Sequence, residues 1–234
     1  MNVNDVEISI IIPTMNEEEN IGKVLQRIKN SVKGNYEILI VDNSKDKTPE
    51  IAKSMGAIVI NEKRKGYGRA YKTGFSQAKG KIIVTLDGDN TYPPEVINEY
   101  VEFLYKNGYD FISCERISRL NPEAMVKAHR IGNMLLNYAI LMLFFIKMKD
   151  SQSGMWIFKK EILNHIHLCS DGMPFSEELK IQAFQKFKSI ELPIDYGIRM
   201  GEVKLQRFKD GVGNLLYLLK LRFLGCEEKI SIIL

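Results

Sequence analysis

Ile82-Ile83-Val84-Thr85-Leu86-Asp87-Gly88-Asp89 is an apolar run that stops abruptly at two carboxylates separated by one glycine. So continuous a run leaves little room for a solvated face, which predicts a central strand covered on both sides. In open α/β sheets the ligand crevice lies beyond the carboxyl ends of the strands, so Asp87 and Asp89 are expected at that crevice. Their hard oxygens suit Mg²⁺ or Mn²⁺. An Asp-x-Asp in a solvated turn looks the same in isolation, and only its neighbours separate the two readings.

Upstream of this run, strand and helix signals alternate. Ile8 to Ile12 is β-rich, Glu17 to Lys33 carries Ile21, Val24, Leu25 and Ile28 at helical spacing, and Glu37 to Val41 is a second strand. Thr48 to Met55, with Pro49 just inside its start, is a short helix; Ala57 to Ile60 is a third strand; Gly66 to Ala78 is a helix leading into the Ile82 run. Pro93-Pro94 precedes a helix over Glu95 to Lys106, and Phe111 to Cys114 is a further strand. This alternation predicts an α/β fold, a Rossmann-like, mostly parallel sheet with helices on both faces. After about residue 115 long helices and isolated strands take over without a Gly/Ser-rich or Pro-rich linker, which predicts a helical appendage within the same domain. The expected organisation is one domain over 1–234, with halves at 1–115 and 116–210 and an amphipathic C-terminal helix over 211–234.

The 234 residues suffice for one substantial α/β domain plus an appendage. A formal net charge of +4 is a mild basic excess that thickens toward the C-terminus, where Arg199, Lys204, Arg207, Lys209, Lys220, Arg222 and Lys229 are interleaved with leucines. That pattern suits a membrane surface or a phosphate better than sequence-specific nucleic-acid reading, the alternative being a solvated helix face. Cys114, Cys169 and Cys226 are odd in number and far apart, which argues against a disulfide framework or a Cys-x-x-Cys zinc site and for a reducing cytoplasm. The N-terminus lacks the basic and apolar regions of a secretory signal. Met134 to Met148, interrupted by Asn137 and Lys147, is shorter than the ~20 residues that span a bilayer, so it is either a buried core helix or a helix lying in the membrane interface. His165-x-His167, read on a helix, faces different sides and, with His129, forms no ligand cluster with the acidic pair. Trp156 reads as a core residue, the alternative being a wall of the sugar or lipid pocket.

The loops after the strands carry the chemistry. The first, Pro13-Thr14-Met15-Asn16-Glu17-Glu18-Glu19, has no glycine and is acidic. It therefore meets a base or ribose hydroxyl better than a phosphate, unless its glutamates only complement a helix N-terminus. Asp42, in Asp42-Asn43-Ser44-Lys45-Asp46-Lys47-Thr48, either accepts hydrogen bonds from a nucleoside or closes an Asx turn. Lys63-Arg64-Lys65-Gly66-Tyr67-Gly68-Arg69 puts four cations and a Gly-x-Gly at a helix start, where a diphosphate could approach backbone N–H groups.

Taken in order, Pro13-Thr14-Met15-Asn16-Glu17, Val41-Asp42-Asn43-Ser44-x-Asp46-x-Thr48, Gly66-Tyr67-Gly68 and Asp87-Gly88-Asp89 resemble family 2 glycosyltransferases of the dolichyl-phosphate sugar synthase branch. Asp150-Ser151-Gln152-Ser153-Gly154-Met155-Trp156, Met173-Pro174-Phe175-Ser176-Glu177-Glu178 and Arg199-Met200-Gly201-Glu202-Val203-Lys204-Leu205 resemble the same branch's acceptor-side motifs, so the likeness runs over roughly residues 7 to 210. The resemblance implies a GT-A type fold and a sugar transfer from a nucleotide-diphosphate donor to dolichyl or another polyprenyl phosphate. It implies Pro13, Glu17, Asp42, Lys65, Gly66, Asp87 and Asp89 at the nucleotide sugar, and Asp87 and Asp89 on Mg²⁺ or Mn²⁺. It further implies Arg116, Arg130, Arg199 and Lys204 at the acceptor phosphate, and Asp89, Glu177 and Arg199 at the reaction centre. Thr91 and Val203 stand where mannosyl-transferring relatives often carry glutamine and serine, and the Asp87 to Pro94 and Asp150 to Trp156 runs look closer to users of UDP-N-acetylglucosamine or another UDP-hexose than of GDP-mannose.

A phosphate monoester, with a second pKa near ~6, is already a competent nucleophile at neutral pH, so Glu177 is expected to bind sugar hydroxyls or orient a cation, not to act as a base. The expected location is the cytoplasmic face of a membrane, held peripherally, with Lys147, Lys149, Lys220 and Arg222 toward anionic lipid. A nucleotidyltransferase would need a glycine-rich basic loop where Pro13 to Glu19 stands. A non-catalytic scaffold of the same fold is the remaining alternative, and the intact Asp87 and Asp89 oppose it.

Overall fold

Alternate residues of each strand face opposite apolar layers, and this period of two sets the architecture. The computed structural model describes residues 6–121, 123–124, 127–198 and 207–226. Its strands are β1 (Ile8–Thr14), β2 (Tyr36–Asp42), β3 (Ile58–Asn61), β4 (Ile82–Thr85), β5 (Phe111–Glu115), β6 (Trp156–Lys159) and β7 (Ser189–Pro193), in the spatial order β3-β2-β1-β4-β6-β5-β7. Ile10, Ile12, Ile40, Val84 and Ile157 point to one layer, which is closed by α1 (Ile21–Ser31), α2 (Thr48–Ser54) and α4 (Ile97–Lys106). Ile11, Leu39, Ile83, Trp156 and Phe158 point to the other, closed by α3 (Tyr67–Gln77) and α6 (Phe175–Lys186). β4 is wholly buried and occupies the middle of the seven strands, as its apolar run predicts.

Pairing is parallel from β3 through β2 and β1 to β4, and again between β5 and β7. β6 alone runs antiparallel, wedged between β4 and β5. This inserted strand follows the Asp150 to Met155 stretch, and its reversal has a consequence for the site. The carboxyl ends of the other strands and the amino end of β6 share one edge of the sheet. The turn over residues 150–154 therefore lies beside the Asp87-Gly88-Asp89 loop.

A third layer is formed by α5 (Lys127–Phe144) and α7 (Arg207–Phe223), which pack on α6 through Leu136, Ile140, Met148, Ile181 and Leu218. The Met134 to Met148 stretch divides by face. Its inner face is core, whereas Met134, Leu135, Tyr138, Met142 and Phe145 are exposed. On α7 and just beyond it, Val212, Leu215, Leu216, Phe223 and Leu224 are also exposed. No helix among the described residues is long and apolar enough to cross a membrane.

Two expectations are corrected here. Cys169 and Cys226 form a disulfide, with Cα atoms 5.9 Å apart across a sequence separation of 57. Distance along the chain did not preclude it, because α7 returns along α6 and brings its end to the loop before that helix. His165 and His167 lie not on a helix but in the loop that follows the 3-10 turn Lys160–Asn164. Trp156 is fully buried, its Nε1 donating to the Ser153 carbonyl at 2.9 Å.

Candidate active site

The crevice opens where the chain leaves β1 toward β2 on one side and β4 lies on the other, the switch point at which α/β sheets bind ligands. The two loops on the β1–β2 side are stitched together. Asn16 N–H donates to Ser44 Oγ, Glu17 N–H to Thr48 Oγ1 and Glu18 N–H to Asp46 Oδ2, while the Lys45 N–H returns to Asn16 Oδ1. Asp46 Oδ1 accepts the Thr48 N–H at 3.0 Å, securing the start of α2. The Asp42 carboxylate accepts Thr14 Oγ1 at 2.7 Å, Ser44 Oγ at 2.5 Å and the Ser44 N–H at 3.0 Å. The Asx-turn reading of Asp42 thus holds, and a nucleoside donor would have to share oxygens that already fix the crevice wall. Pro13 and Glu17, on this same side, face the Asp87-Gly88-Asp89 loop: a Cβ on Gly88 would lie 3.3 Å from Glu17 Cγ and 3.6 Å from the Pro13 carbonyl oxygen.

The expectation that Gly66-Tyr67-Gly68 offers its backbone to a diphosphate is corrected at Gly68. The Gly68 and Arg69 N–H groups donate to the carbonyls of Gly172 and Asp171 at 3.3 and 3.1 Å. A Cβ on Gly68 would come within 2.7 Å of Phe175 Cβ, and Gly66 has φ +141° with the Asp171 carbonyl pressed against it. These glycines exist so that the 170–172 loop can pack on α3. Lys65 remains exposed at the mouth of this segment.

Asp87 and Asp89 lie on the loop that leaves β4. Asp89, which is buried, accepts the Thr91 hydroxyl at 2.6 Å and the Thr91 N–H at 3.2 Å, so Thr91 orients this carboxylate. A Cβ on Gly154 would lie 3.4 and 3.6 Å from the two Asp87 oxygens and would collide with the Tyr67 hydroxyl. The space beside Asp87 therefore depends on a glycine two residues beyond Gln152. Burial first, and then the negative charge of Asp87, pushes the Tyr67 and Tyr71 hydroxyls well above the ordinary range, so both stay protonated beside the crevice. Hard carboxylates flanking a cradle that one methyl group would fill fit a divalent cation.

The turn over 150–154 carries the other side of the crevice. Burial opposes ionisation of Asp150, yet Arg116 holds it down to about 2 through a two-pronged pair at 2.7 and 2.8 Å. Arg116 also lies over the Tyr196 ring, 5.2 Å from its centroid. The Arg116 guanidinium thus braces the turn, and an acceptor phosphate would have to compete with Asp150 for it. Asn133 Nδ2 donates to Asp150 at 2.9 Å, and the buried Lys180 ammonium donates to the carbonyls of Asp150 and Ser151 at 2.8 and 3.1 Å. Burial pulls Lys180 down to about 8.

Glu177, at the start of α6, is completely buried. Its Oε1 accepts Gln152 Nε2 at 2.6 Å and Asn214 Nδ2 at 3.1 Å, and Oε2 has no hydrogen-bond partner among the described residues. Burial pushes its carboxyl up to about 8 despite these donors and Lys180. Glu178 has a different task, accepting the Cys169 and Ser170 N–H groups at 2.9 Å each. Asn214 carried no recognisable signal in the sequence, since its partners lie 37 and 62 residues away.

Arg130 is exposed on α5 and lines a cavity of about 420 Å³ with Ile117, Ile131, Asn133, Met134 and Lys149. Arg199 and Lys204 lie outside the described residues. The sequence candidates thus separate into a group around the Asp87-Gly88-Asp89 loop (Pro13, Glu17, Asp87, Asp89), structural braces (Asp42, Gly66, Arg116), a buried acid (Glu177) and a cationic cavity residue (Arg130).

Comparison with known proteins matches residues 9–166 to the glycosyl transferase family 2 model. A dolichyl-phosphate hexose transferase of Haloferax volcanii is 35% identical over 206 residues, covering 88% of this chain and 89% of that protein. A dolichol-phosphate mannosyltransferase of Pyrococcus furiosus is 33% identical, covering 86% of this chain and 60% of that one. Among solved structures, glucosyl-3-phosphoglycerate synthase of Mycobacterium tuberculosis, in complex with Mn²⁺, UDP and glucosyl-3-phosphoglycerate, superposes with a TM-score of 0.69 at 21% identity, over 96% of this chain and 82% of that one. Sheet order, crevice and family match agree: the chain is a glycosyltransferase of the GT-A fold and belongs to glycosyl transferase family 2.

Proposed function

We propose that the chain moves a hexosyl group, from UDP-N-acetylglucosamine or another UDP-hexose, onto dolichyl or another polyprenyl phosphate at a membrane surface. The observation that carries this reading is the cavity beside α5, where Arg130 and Lys149 face Ile117, Ile131 and Met134. A phosphate with an aliphatic tail needs cations and apolar side chains in one slot. The exposed apolar faces of α5 and α7 extend from it, suited to a lipid interface. The names of the Haloferax and Pyrococcus relatives support the acceptor class.

Asp87 and Asp89 would hold a divalent cation, with the Mn²⁺ of the Mycobacterium complex as support from a related fold. Once bound, the cation offsets the charge of the departing diphosphate. Pro13, Glu17, Asp42 and Lys65 would border the nucleoside diphosphate, and Arg130, Lys149, Arg199 and Lys204 would hold the incoming phosphate. The acceptor is largely dianionic at neutral pH, so no side chain need remove a proton from it. Glu177, largely protonated at neutral pH, donates or accepts hydrogen bonds at the sugar side through Gln152.

The test is an assay of purified protein with dolichyl phosphate and a panel of labelled UDP- and GDP-sugars, with and without a chelator. Transfer of a UDP-hexose that the chelator abolishes is the expected result. Transfer from GDP-mannose alone would make the chain a mannose synthase like its Pyrococcus relative. Metal-dependent nucleotide binding without transfer from any donor would turn the reading toward a scaffold.

A further inference from the structure

The geometry points to Cys169 and Cys226 as a redox-active pair, a disulfide that cellular thiols open and re-form and that governs how firmly α7 is seated on the body. Its effect on turnover rests on the glycosyl-transfer reading above, whereas the redox chemistry does not.

The Cα separation of 5.9 Å is that of an ordinary disulfide. The pair borders a cavity of about 530 Å³ whose other walls include Arg69, Lys72, His167, Asp171, Tyr217 and Lys220. His167 and Gly225 at the rim are exposed, so a small thiol has a route to the sulfurs. Lys72 Nζ lies 3.2 Å from the Cys169 carbonyl oxygen. Arg69 and Lys72 share one carboxylate, Asp171, at 3.0 and 2.5 Å, leaving the wall with a cationic excess once Lys220 is included. Cationic surroundings stabilise a thiolate. Glu178 Oε1, 3.5 Å from Cys226 Sγ, favours the protonated thiol on that side. Cys169 is therefore the better leaving group.

In the forward direction a thiolate attacks Cys226 Sγ, the bond between the cysteines breaks, and Cys169, whose carbonyl Lys72 holds, departs as a thiolate. A second thiol then attacks the mixed disulfide and releases Cys226, which takes up a proton. One protein disulfide is reduced to two thiols while two thiols of the reductant are joined as a disulfide. The third cysteine offers an internal control: Cys114 is buried in β5, and burial pushes its thiol well above the ordinary range.

His167, Cys169 and Cys226 also bring their ligand atoms within 4.8 Å of one another, the makings of a zinc site. The joined sulfurs and the cationic wall oppose a dication there. What the tether controls is α7, which delivers Asn214 to Gln152 Oε1 at 3.2 Å and Glu177 Oε1 at 3.1 Å, and whose far end Cys226 pins to the loop before α6.

The test uses the full chain in buffers of oxidised glutathione or dithiothreitol, with mass spectrometry of the linked peptides, hydrogen exchange over 207–226, metal analysis and the sugar-transfer assay. Expected are a Cys169–Cys226 link with Cys114 free, exchange in α7 about tenfold faster after reduction, and a reversible several-fold change in kcat that Cys226→Ser and Cys169→Ser both abolish. Three free thiols in oxidised glutathione, a bound metal ion in place of the link, or a link that leaves α7 exchange unaltered would each overturn the proposal. If neither redox state transfers sugar, the glycosyl-transfer reading fails, while peptide mapping and exchange still decide the tether.

Discussion

The two walls of the crevice are built by different physics. On the β1–β2 side, neighbouring loops exchange hydrogen bonds between short polar side chains and backbone, mostly at the surface: Asn16 with Lys45 and Ser44, Asp46 with Thr48 and Glu18. On the turn over 150–154, fully buried ionisable groups do the work: Asp150 against Arg116, Lys180 on two carbonyls, Glu177 under Gln152 and Asn214. Water can replace a lost bond on the first wall. It cannot readily do so on the second, so that wall stands or falls as a unit.

The sharpest way to break this comparison is to remove one group from each wall. Asp150→Ala leaves the Arg116 guanidinium buried without its counter-charge and is expected to cost about 3–5 kcal/mol in chemical denaturation. Asp46→Ala, which removes the oxygen that accepts the Thr48 N–H, is expected to cost about 1 kcal/mol. Equal losses would mean that the two walls do not differ. Next in size is Asp89→Asn, in which the amide oxygen can still accept from Thr91 while the charge facing the crevice is gone. The expected result is a fall in kcat of about 10²–10³ with folding stability nearly intact, read by steady-state kinetics alongside calorimetry of Mn²⁺-dependent nucleotide binding.

The same contrast explains what was legible in the sequence. The first wall and the strands behind it follow local rules: apolar runs, Pro49 at a helix start and helical spacing in Ile21 to Ile28 all report structure within a few residues. The position of β4 could be read from its composition alone. The second wall could not, because its bonds join residues far apart in the chain: Arg116 to Asp150 across 34 residues, Glu177 to Asn214 across 37. The strand reversal at β6 was equally silent, since Trp156 to Lys159 reads the same in either direction. Gly66 and Gly68 misled for a related reason. Their spacing suggested a phosphate, whereas the partner pressing on them is a backbone more than a hundred residues downstream.

A third test moves from the walls to the face that would meet lipid. Leu216 and Phe223 are 61% and 73% exposed, so changing them to glutamate should leave the fold untouched. If they enter a bilayer interface, each contributes up to about 1.5–3 kcal/mol of burial. Leu216→Glu with Phe223→Glu should then weaken binding to anionic vesicles by at least about tenfold at low salt, measured by co-sedimentation. Unchanged binding would assign the exposed faces of α5 and α7 to another partner.

The smallest effect isolates one buried acid from its neighbours. The Glu177 carboxyl is pushed by burial from its ordinary value of 4.5 up to about 8, so between these values the folded chain holds a proton that the unfolded chain has released. Stability must therefore fall as pH rises across that window and level off above it. Lys180 is pulled from 10.5 to about 8, so its own contribution is confined to higher pH, where stability rises as the unfolded lysine alone remains charged. Glu177→Gln keeps an oxygen for Gln152 and Asn214 and removes the titration. Wild type should lose about 1 kcal/mol more than the variant between pH 6 and pH 7 in urea denaturation, with the two curves parallel below pH 4. Parallel curves throughout would mean that Glu177 is ionised in the native state. The turn over 150–154 would then hold a buried carboxylate in balance with Lys180, and the second wall would be a network of charges from end to end.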